Sequence, residues 1–174
     1  MRNGFGEEFI QKASAIACTS LAESKEFQNA DTVLLYFPVN NELSPLPLLD
    51  IAISVGKTVA FPVCNKTSNT LTFRKVTDLC ELESASFGIF EPKASSEEIT
   101  PSAHTLCVVP ALLISKSGAR LGYGGGYYDR FLKDFSGTSV GFTYSEMLCD
   151  TLYGDAHDVP VDMIITEGEV IYIA

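Results

Sequence analysis

Apolar residues return at helical spacing between Glu7 and Phe27, with Phe9, Ala13, Ile16, Ala17 and Leu21 on one stripe, which predicts a helix over that span. Thr32–Phe37 is a near-continuous apolar run closed by Pro38, the pattern of a strand buried on both faces. A second helix fits Ser44–Val55, where Pro45 and Pro47 suit only the first turn. Lys57–Pro62 reads as another buried strand, Thr70–Val76 alternates like an exposed one, and Ser84–Ser102 is polar and loop-like. The apolar pattern then resumes: Thr105–Ile114 predicts a strand, Tyr127–Phe135 a helix and Ser139–Tyr144 a strand, with short strands at Asp162–Thr166 and Val170–Ile173. This alternation predicts one α/β domain over residues 1–174, Rossmann-like, with a central, largely parallel sheet, mixed edges and helices on both faces. Ligands in such sheets sit beyond the carboxyl ends of strands, in loops that lead into helices. The segment just before Tyr127 occupies that kind of position.

Composition narrows the class. At 174 residues, 46% hydrophobic and 20% charged, the chain is an ordinary globular domain able to bury its own core. The longest apolar stretches, Val33–Val39 and Cys107–Ile114, are far below the ~20 residues needed to cross a bilayer. No leader pattern opens the sequence, so a soluble cytoplasmic protein is expected. Twelve basic against 22 acidic residues give a net charge of −10, which disfavours nucleic acid and anionic membrane as partners. An acidic monomer is the expectation. Five cysteines without a Cys-x-x-Cys pair, and two histidines, His104 and His157, offer no disulfide framework and no zinc spacing. His157-Asp158 lacks the serine turn of a hydrolase and is read as structural.

The chemistry concentrates in residues 120–132, RLGYGGGYYDRFL. Gly122, Gly124, Gly125 and Gly126 let the backbone come close to a ligand, and the amides of such a turn can form an anion-binding concavity at the start of a helix. Arg120 and Arg130 supply forked donors suited to phosphate, and Asp129 an oxygen of the kind Mg²⁺ accepts. The spacings of the P-loop and of the dinucleotide fingerprint are both absent. On the residues alone, a phosphate-binding loop and a plain glycine-rich turn both remain open.

The same thirteen residues resemble the signature of the 5-formyltetrahydrofolate cyclo-ligase family. Several further segments fall in that family's order: Val109-Pro110, Ser117-Gly118, Phe27–Tyr36, Asn41-Glu42, Gly56-Lys57 with Phe61-Pro62, Gly88-Ile89-Phe90-Glu91-Pro92 and His157–Glu167. The resemblance implies ATP- and Mg²⁺-dependent cyclisation of 5-formyltetrahydrofolate to 5,10-methenyltetrahydrofolate through a phosphorylated formyl group, with ADP and phosphate released. It implies ATP binding along Arg120, Leu121, Gly122, Tyr123, Gly124, Gly125, Gly126, Tyr127 and Tyr128. The reduced folate would meet Phe37, Glu42 and the stretch Tyr123–Tyr127. Mg²⁺ would be held by Asp129 and Asp162, and Arg120, Tyr123 and Asp129 would be catalytic. Bland readings stand beside these: core packing for Phe37, Tyr127 and Tyr128, a solvated loop acid for Glu42, and a turn residue for Asp162. The sequence departs from the family at Ala111, Ile114 and Ser115. It also lacks the basic first helix that reaches ATP in relatives, Arg2 being the nearest cation. A non-catalytic folate- or nucleotide-binding relative is therefore the alternative, and an α/β enzyme on another phosphorylated metabolite a more distant one.

Overall fold

The most apolar runs occupy the middle of one sheet, and the amphipathic helices cover its two faces. The computed structural model describes residues 4–85, 88–153 and 158–173; Arg2 and His157 lie outside them. In chain order come α1 (Glu7–Ala22), α2 (Lys25–Asn29), β1 (Thr32–Leu34), α3 (Pro47–Ser54), β2 (Thr58–Asn65), β3 (Thr70–Lys75), β4 (Leu82–Ser84), β5 (Phe90–Pro92) and β6 (Glu98–Ile99). They are followed by β7 (Thr105–Pro110), β8 (Leu113–Ser115), β9 (Arg120–Leu121), α4 (Tyr127–Lys133), β10 (Thr138–Phe142), β11 (Leu148–Cys149), β12 (Met163–Ile165) and β13 (Val170–Tyr172). The main sheet has the order β13-β12-β10-β7-β1-β2-β3-β6. Its five inner strands, β12 to β2, are parallel, while β13 on one side and β3 and β6 on the other are antiparallel. The expected class, a largely parallel sheet with mixed edges, is the one observed.

The period of two along β1 explains the layers. Val33 and Leu35 join a core with Ala13, Ala17 and Leu21 of α1 and Leu48 and Leu49 of α3. Leu34 points the other way, into a cluster with Cys107, Val109, Ile164 and Leu132 of α4. All three β1-region residues are fully buried, and truncating Leu34 to alanine would cost about 2–5 kcal/mol.

Several boundaries differ from the sequence expectation. The first helix is two: Ser24 Oγ donates to the Leu21 carbonyl at 2.7 Å and accepts from the Phe27 amide at 3.1 Å. It thereby caps α2 and ends the helical path of α1. Strand β1 stops at Leu34 because the chain turns away toward Pro38, keeping one further bond from Leu35 N to Ala60 O at 2.9 Å. Pro45 lies ahead of α3, which starts on Pro47. β2 runs on to Asn65, paired residue for residue with β3. β3 is not simply exposed, since Phe73 is buried with its ring 4.9 Å from Phe131. The stretch 84–102 is not all loop: β4 pairs with β5 and β6 extends the main sheet. The run 105–114 is broken after Pro110, and β8 departs to pair with β9 and β11 in a small separate sheet. α4 ends two residues early, at Lys133.

Candidate active site

Two loops meet beyond the carboxyl ends of β1 and β7. In the first, Asn40 and Asn41 adopt φ of +50° and +56°, a region asparagine tolerates better than most residues. The turn brings Glu42 back onto its own loop: its amide donates to Val39 O at 3.0 Å and its Oε2 accepts from Val39 N at 2.9 Å. At 4% exposure Glu42 is a buried carboxylate, not a solvated loop acid. Beneath it the Tyr36 hydroxyl donates to the Leu43 carbonyl. Phe37 is partly buried against the core on the α1 side, and its ring lies 4.8 Å from that of Phe90 at 41°.

The second loop joins β9 to α4. Gly124 and Gly126 take φ of +85° and +65°, which a side chain would strain. The amides of Gly122, Gly124, Gly125 and Gly126 donate to no hydrogen bond among the described residues. Between them Tyr123 is 55% exposed, yet its hydroxyl donates to Glu42 Oε1 at 3.0 Å and so ties together loops 81 residues apart. The Tyr127 ring covers Gly125, where a Cβ would come within 2.7 Å of it. Leu121 stays exposed at the rim.

Charge inside the second loop is organised by one pair. Arg120 Nη2 donates to Asp129 Oδ1 at 2.7 Å, with the arginine side chain 4% and the aspartate 29% exposed. The Val159 amide reaches the same oxygen at 3.4 Å. Burial lowers the Arg120 pKa and Asp129 opposes that shift, but a guanidinium stays charged at any accessible pH. Arg130 Nη1 donates to the Gly125 carbonyl at 2.9 Å and braces the loop from outside. Tyr128 packs into the α4-side core. Burial pushes its phenol well above the ordinary range, the neighbouring Cys107, Cys64 and Glu42 adding to the shift and Arg120 opposing it.

Asp162 stands apart from these groups. Its Oδ2 accepts from the Ser139 amide and the Ser139 hydroxyl, both at 2.7 Å, at the amino ends of β10 and β12. Among the described residues no group of three or more His, Cys, Asp or Glu is gathered as a metal site, and no helix is long and apolar enough to cross a membrane.

A sequence model of the 5-formyltetrahydrofolate cyclo-ligase family matches residues 2–167. The chain belongs to this family. Among its cyclo-ligase relatives, the 5-formyltetrahydrofolate cyclo-ligase of Escherichia coli strain K12 is 28% identical over 174 residues, covering 97% of this chain and 96% of that protein. A probable 5-formyltetrahydrofolate cyclo-ligase of Caenorhabditis elegans is 29% identical, covering 95% and 86%. The NMR structure of Aquifex aeolicus 5,10-methenyltetrahydrofolate synthetase superposes with a TM-score of 0.86 at 32% identity, over 99% of this chain and 87% of that one. The 5,10-methenyltetrahydrofolate synthetase of Mycoplasma pneumoniae shares the fold, with a TM-score of 0.73 at 21% identity, covering 95% and 92%.

Of the residues that the cyclo-ligase resemblance singles out, Glu42 and Tyr123 are in direct contact, and so are Arg120 and Asp129. Three residues have contacts that reading does not foresee: Phe90 lies beside Phe37, the Val159 amide reaches Asp129, and Arg130, expected as a phosphate donor, braces the loop through the Gly125 carbonyl. Phe90 and Val159 fall inside segments that carry the family resemblance, but nothing in those segments points to the partners they have here.

Proposed function

We propose that this cyclo-ligase family member closes 5-formyltetrahydrofolate to 5,10-methenyltetrahydrofolate at the expense of ATP. The observation that carries the reading is the Tyr123–Glu42 hydrogen bond at 3.0 Å, which joins a glycine loop with unengaged amides to a buried carboxylate. The first is suited to phosphates and the second to the amino and N–H edge of a pterin. Phe37, on the loop that carries Glu42 and 4.8 Å from the Phe90 ring, would take the apolar face of the folate, with Tyr123 on the opposite loop and Tyr127 at the start of α4.

The formyl group on N5 is an amide and a poor electrophile. Its oxygen attacks the γ-phosphorus of ATP, forming an O–P bond as the bond to the ADP oxygen breaks. N10 then attacks the activated carbon and loses its proton to solvent. The C–O bond breaks with its electrons going to phosphate, leaving the methenyl cation. Phosphoryl transfer asks chiefly for positioning and charge neutralisation. The Gly122–Gly126 amides and Arg120 line the phosphates, while Glu42 and Phe37 fix the pterin so that the formyl oxygen faces them.

Mg²⁺ fits at Asp129. Both protein contacts of that carboxylate fall on Oδ1, so Oδ2 is left for a hard cation that also takes phosphate oxygens. Bound there, the ion would neutralise charge on the β- and γ-phosphates. Asp162 is held through Oδ2 by the Ser139 amide and hydroxyl, which join β10 to β12 at the other end of the strands.

The test is to mix the protein with 5-formyltetrahydrofolate, ATP and Mg²⁺, following the near-ultraviolet absorbance of the methenyl product and counting ADP in parallel. Absorbance rising in step with ADP, only when Mg²⁺ is present, supports the reading. Binding of folate or ATP without product would make the chain a non-catalytic relative, and neither product nor binding would reject the assignment.

A further inference from the structure

A cavity of 280 Å³ opens between α4 and the start of β3. Its apolar wall is made by Phe131 of α4 and Phe135 just beyond it, with Leu71 and Pro101. The two rings are half-buried and lie 5.1 Å apart, and Phe131 rests 4.9 Å from the buried ring of Phe73, so the core holds this wall in place. Arg130 and Asp134, both exposed, also line the cavity. They stand one helical turn apart, the spacing at which opposite charges normally pair, yet no ion pair joins them among the described residues. Asp134 also caps the C-terminal end of α4, where a carboxylate meets the negative end of the helix dipole and does not serve stability. Arg130 commits Nη1 to the Gly125 carbonyl at 2.9 Å, and its Nε and Nη2 make no further hydrogen bond among the described residues. One turn of helix thus offers a cation and an anion, without a mutual bond, beside an aromatic wall. The volume is at the lower limit for ligand pockets, about 300 Å³, which restricts the occupant to a small molecule.

We propose that this cavity binds the zwitterion of a free amino acid with an aromatic side chain. The carboxylate takes the open edge of Arg130, the ammonium takes Asp134, and the ring packs on Phe131 and Phe135 in the tilted geometry aromatic pairs favour. A simple carboxylic acid would bring its charge against Asp134, and a simple amine would bring its own against Arg130; only a molecule carrying both charges close together matches both residues. The cavity is apart from the Glu42 loop and the inference does not depend on the activity proposed above. Arg130 gives binding a consequence at a distance. A guanidinium held through its second edge is less free to leave the Gly125 carbonyl, so the glycine loop is ordered in advance and nucleotide binds it more tightly when the cavity is filled.

Titration calorimetry of the full chain with phenylalanine is the test, with 3-phenylpropionate and phenethylamine as probes that lack the ammonium or the carboxylate. Phenylalanine should bind saturably with a Kd on the order of millimolar, as a small ligand in an open pocket does. Each probe should bind about three- to fivefold more weakly, the worth of one exposed charge pair. Asp134→Asn, a conservative change at an exposed position, should weaken phenylalanine by a similar factor and leave 3-phenylpropionate binding no weaker than before. Saturating phenylalanine should tighten the binding of a non-hydrolysable ATP analogue by about fivefold, the low end of ordinary coupling. No saturable binding in the millimolar range, equal affinities for the three molecules, or an Asp134→Asn variant with unaltered affinity for phenylalanine would each overturn the site. Displacement of phenylalanine by 5-formyltetrahydrofolate would overturn it too, by making the cavity part of the reactant site. An unchanged analogue affinity would overturn the link through Arg130. Calorimetry with phenylalanine alone needs neither nucleotide nor turnover, so an inactive protein would reject the cyclo-ligase reading and leave the amino-acid site standing.

Discussion

Asp129→Asn separates what the Arg120–Asp129 pair does for the fold from what it does for the chemistry. Asparagine keeps the shape of aspartate and an acceptor for Arg120, but removes the charge opposite a guanidinium whose side chain is only 4% exposed. Removing one partner of a buried ion pair costs about 3–5 kcal/mol, and the retained neutral hydrogen bond returns about 1 kcal/mol. The expected loss is therefore about 2–4 kcal/mol, which at this chain length lowers Tm by roughly 4–16 °C. The control is Glu98→Gln, which breaks a 3.5 Å pair with Arg74 whose side chains are 24% and 57% exposed; it should cost under about 1 kcal/mol. Thermal and urea melts of wild type and both variants measure this directly. Turnover with a Mg²⁺ titration, run well below the lower Tm, then reads the chemistry on folded protein, and the asparagine variant should lack Mg²⁺-dependent activity there. If Asp129→Asn melted no lower than Glu98→Gln, Arg120 would not depend on Asp129 and the burial argument would be wrong. An unimpaired rate would remove Asp129 from the metal site.

Glu42→Gln should weaken binding of reduced folate by about tenfold or more, since a buried charged acceptor becomes a neutral one, and leave the affinity for an ATP analogue in place. Equal loss for both ligands would count against the division of the site into a folate loop and a phosphate loop. Asp162→Asn weakens the two bonds from Ser139 and should lower Tm by about 2–4 °C without moving the Mg²⁺ titration; a shifted Mg²⁺ requirement would return Asp162 to the metal ligands. Burial pushes the Cys18 thiol up to about 12 and raises Cys107 as well, so neither should react with a thiol reagent until the protein unfolds, whereas exposed Cys80 should label first. Peptide mapping after a short pulse checks the order, and early labelling of Cys107 would contradict its place under α4.

How much of this was legible in the sequence depended on whether a local pattern had a single reading. β1, β2, β7 and β10 were recognisable because a strand buried on both faces leaves an uninterrupted apolar run, and the loop of residues 120–126 because four glycines in five positions have few other uses. Ser24 shows the opposite case: polar residues are common on helix exteriors, so nothing local says that this one turns inward and caps. The two-residue strands Arg120–Leu121 and Leu148–Cys149 owe their pairing to residues such as Ile114 and Ser115 and carry no period of their own. For the site, residue types were visible but partners were not. Glu42 and Tyr123 could each be singled out from the family resemblance, but their mutual bond depends on how the sheet brings two distant loops together. The contacts of Phe90 with Phe37 and of Val159 with Asp129 were illegible for the same reason, being set by the fold.

The position of β1 has a consequence for the chain as it is made. β1 is flanked by β2 on one side and by β7 on the other, and β7 ends at Pro110, 76 residues after Leu34. At ribosomal speeds of about 5–20 residues per second, β2 can zip onto β1 early, but the opposite edge waits roughly 4–15 s for its neighbour. Throughout that interval the nascent chain carries an open, wholly apolar Val33-Leu34-Leu35 edge, a template for pairing with another nascent chain. Slower translation between β2 and β7 should therefore lengthen the exposure of this edge and lower the yield of folded protein.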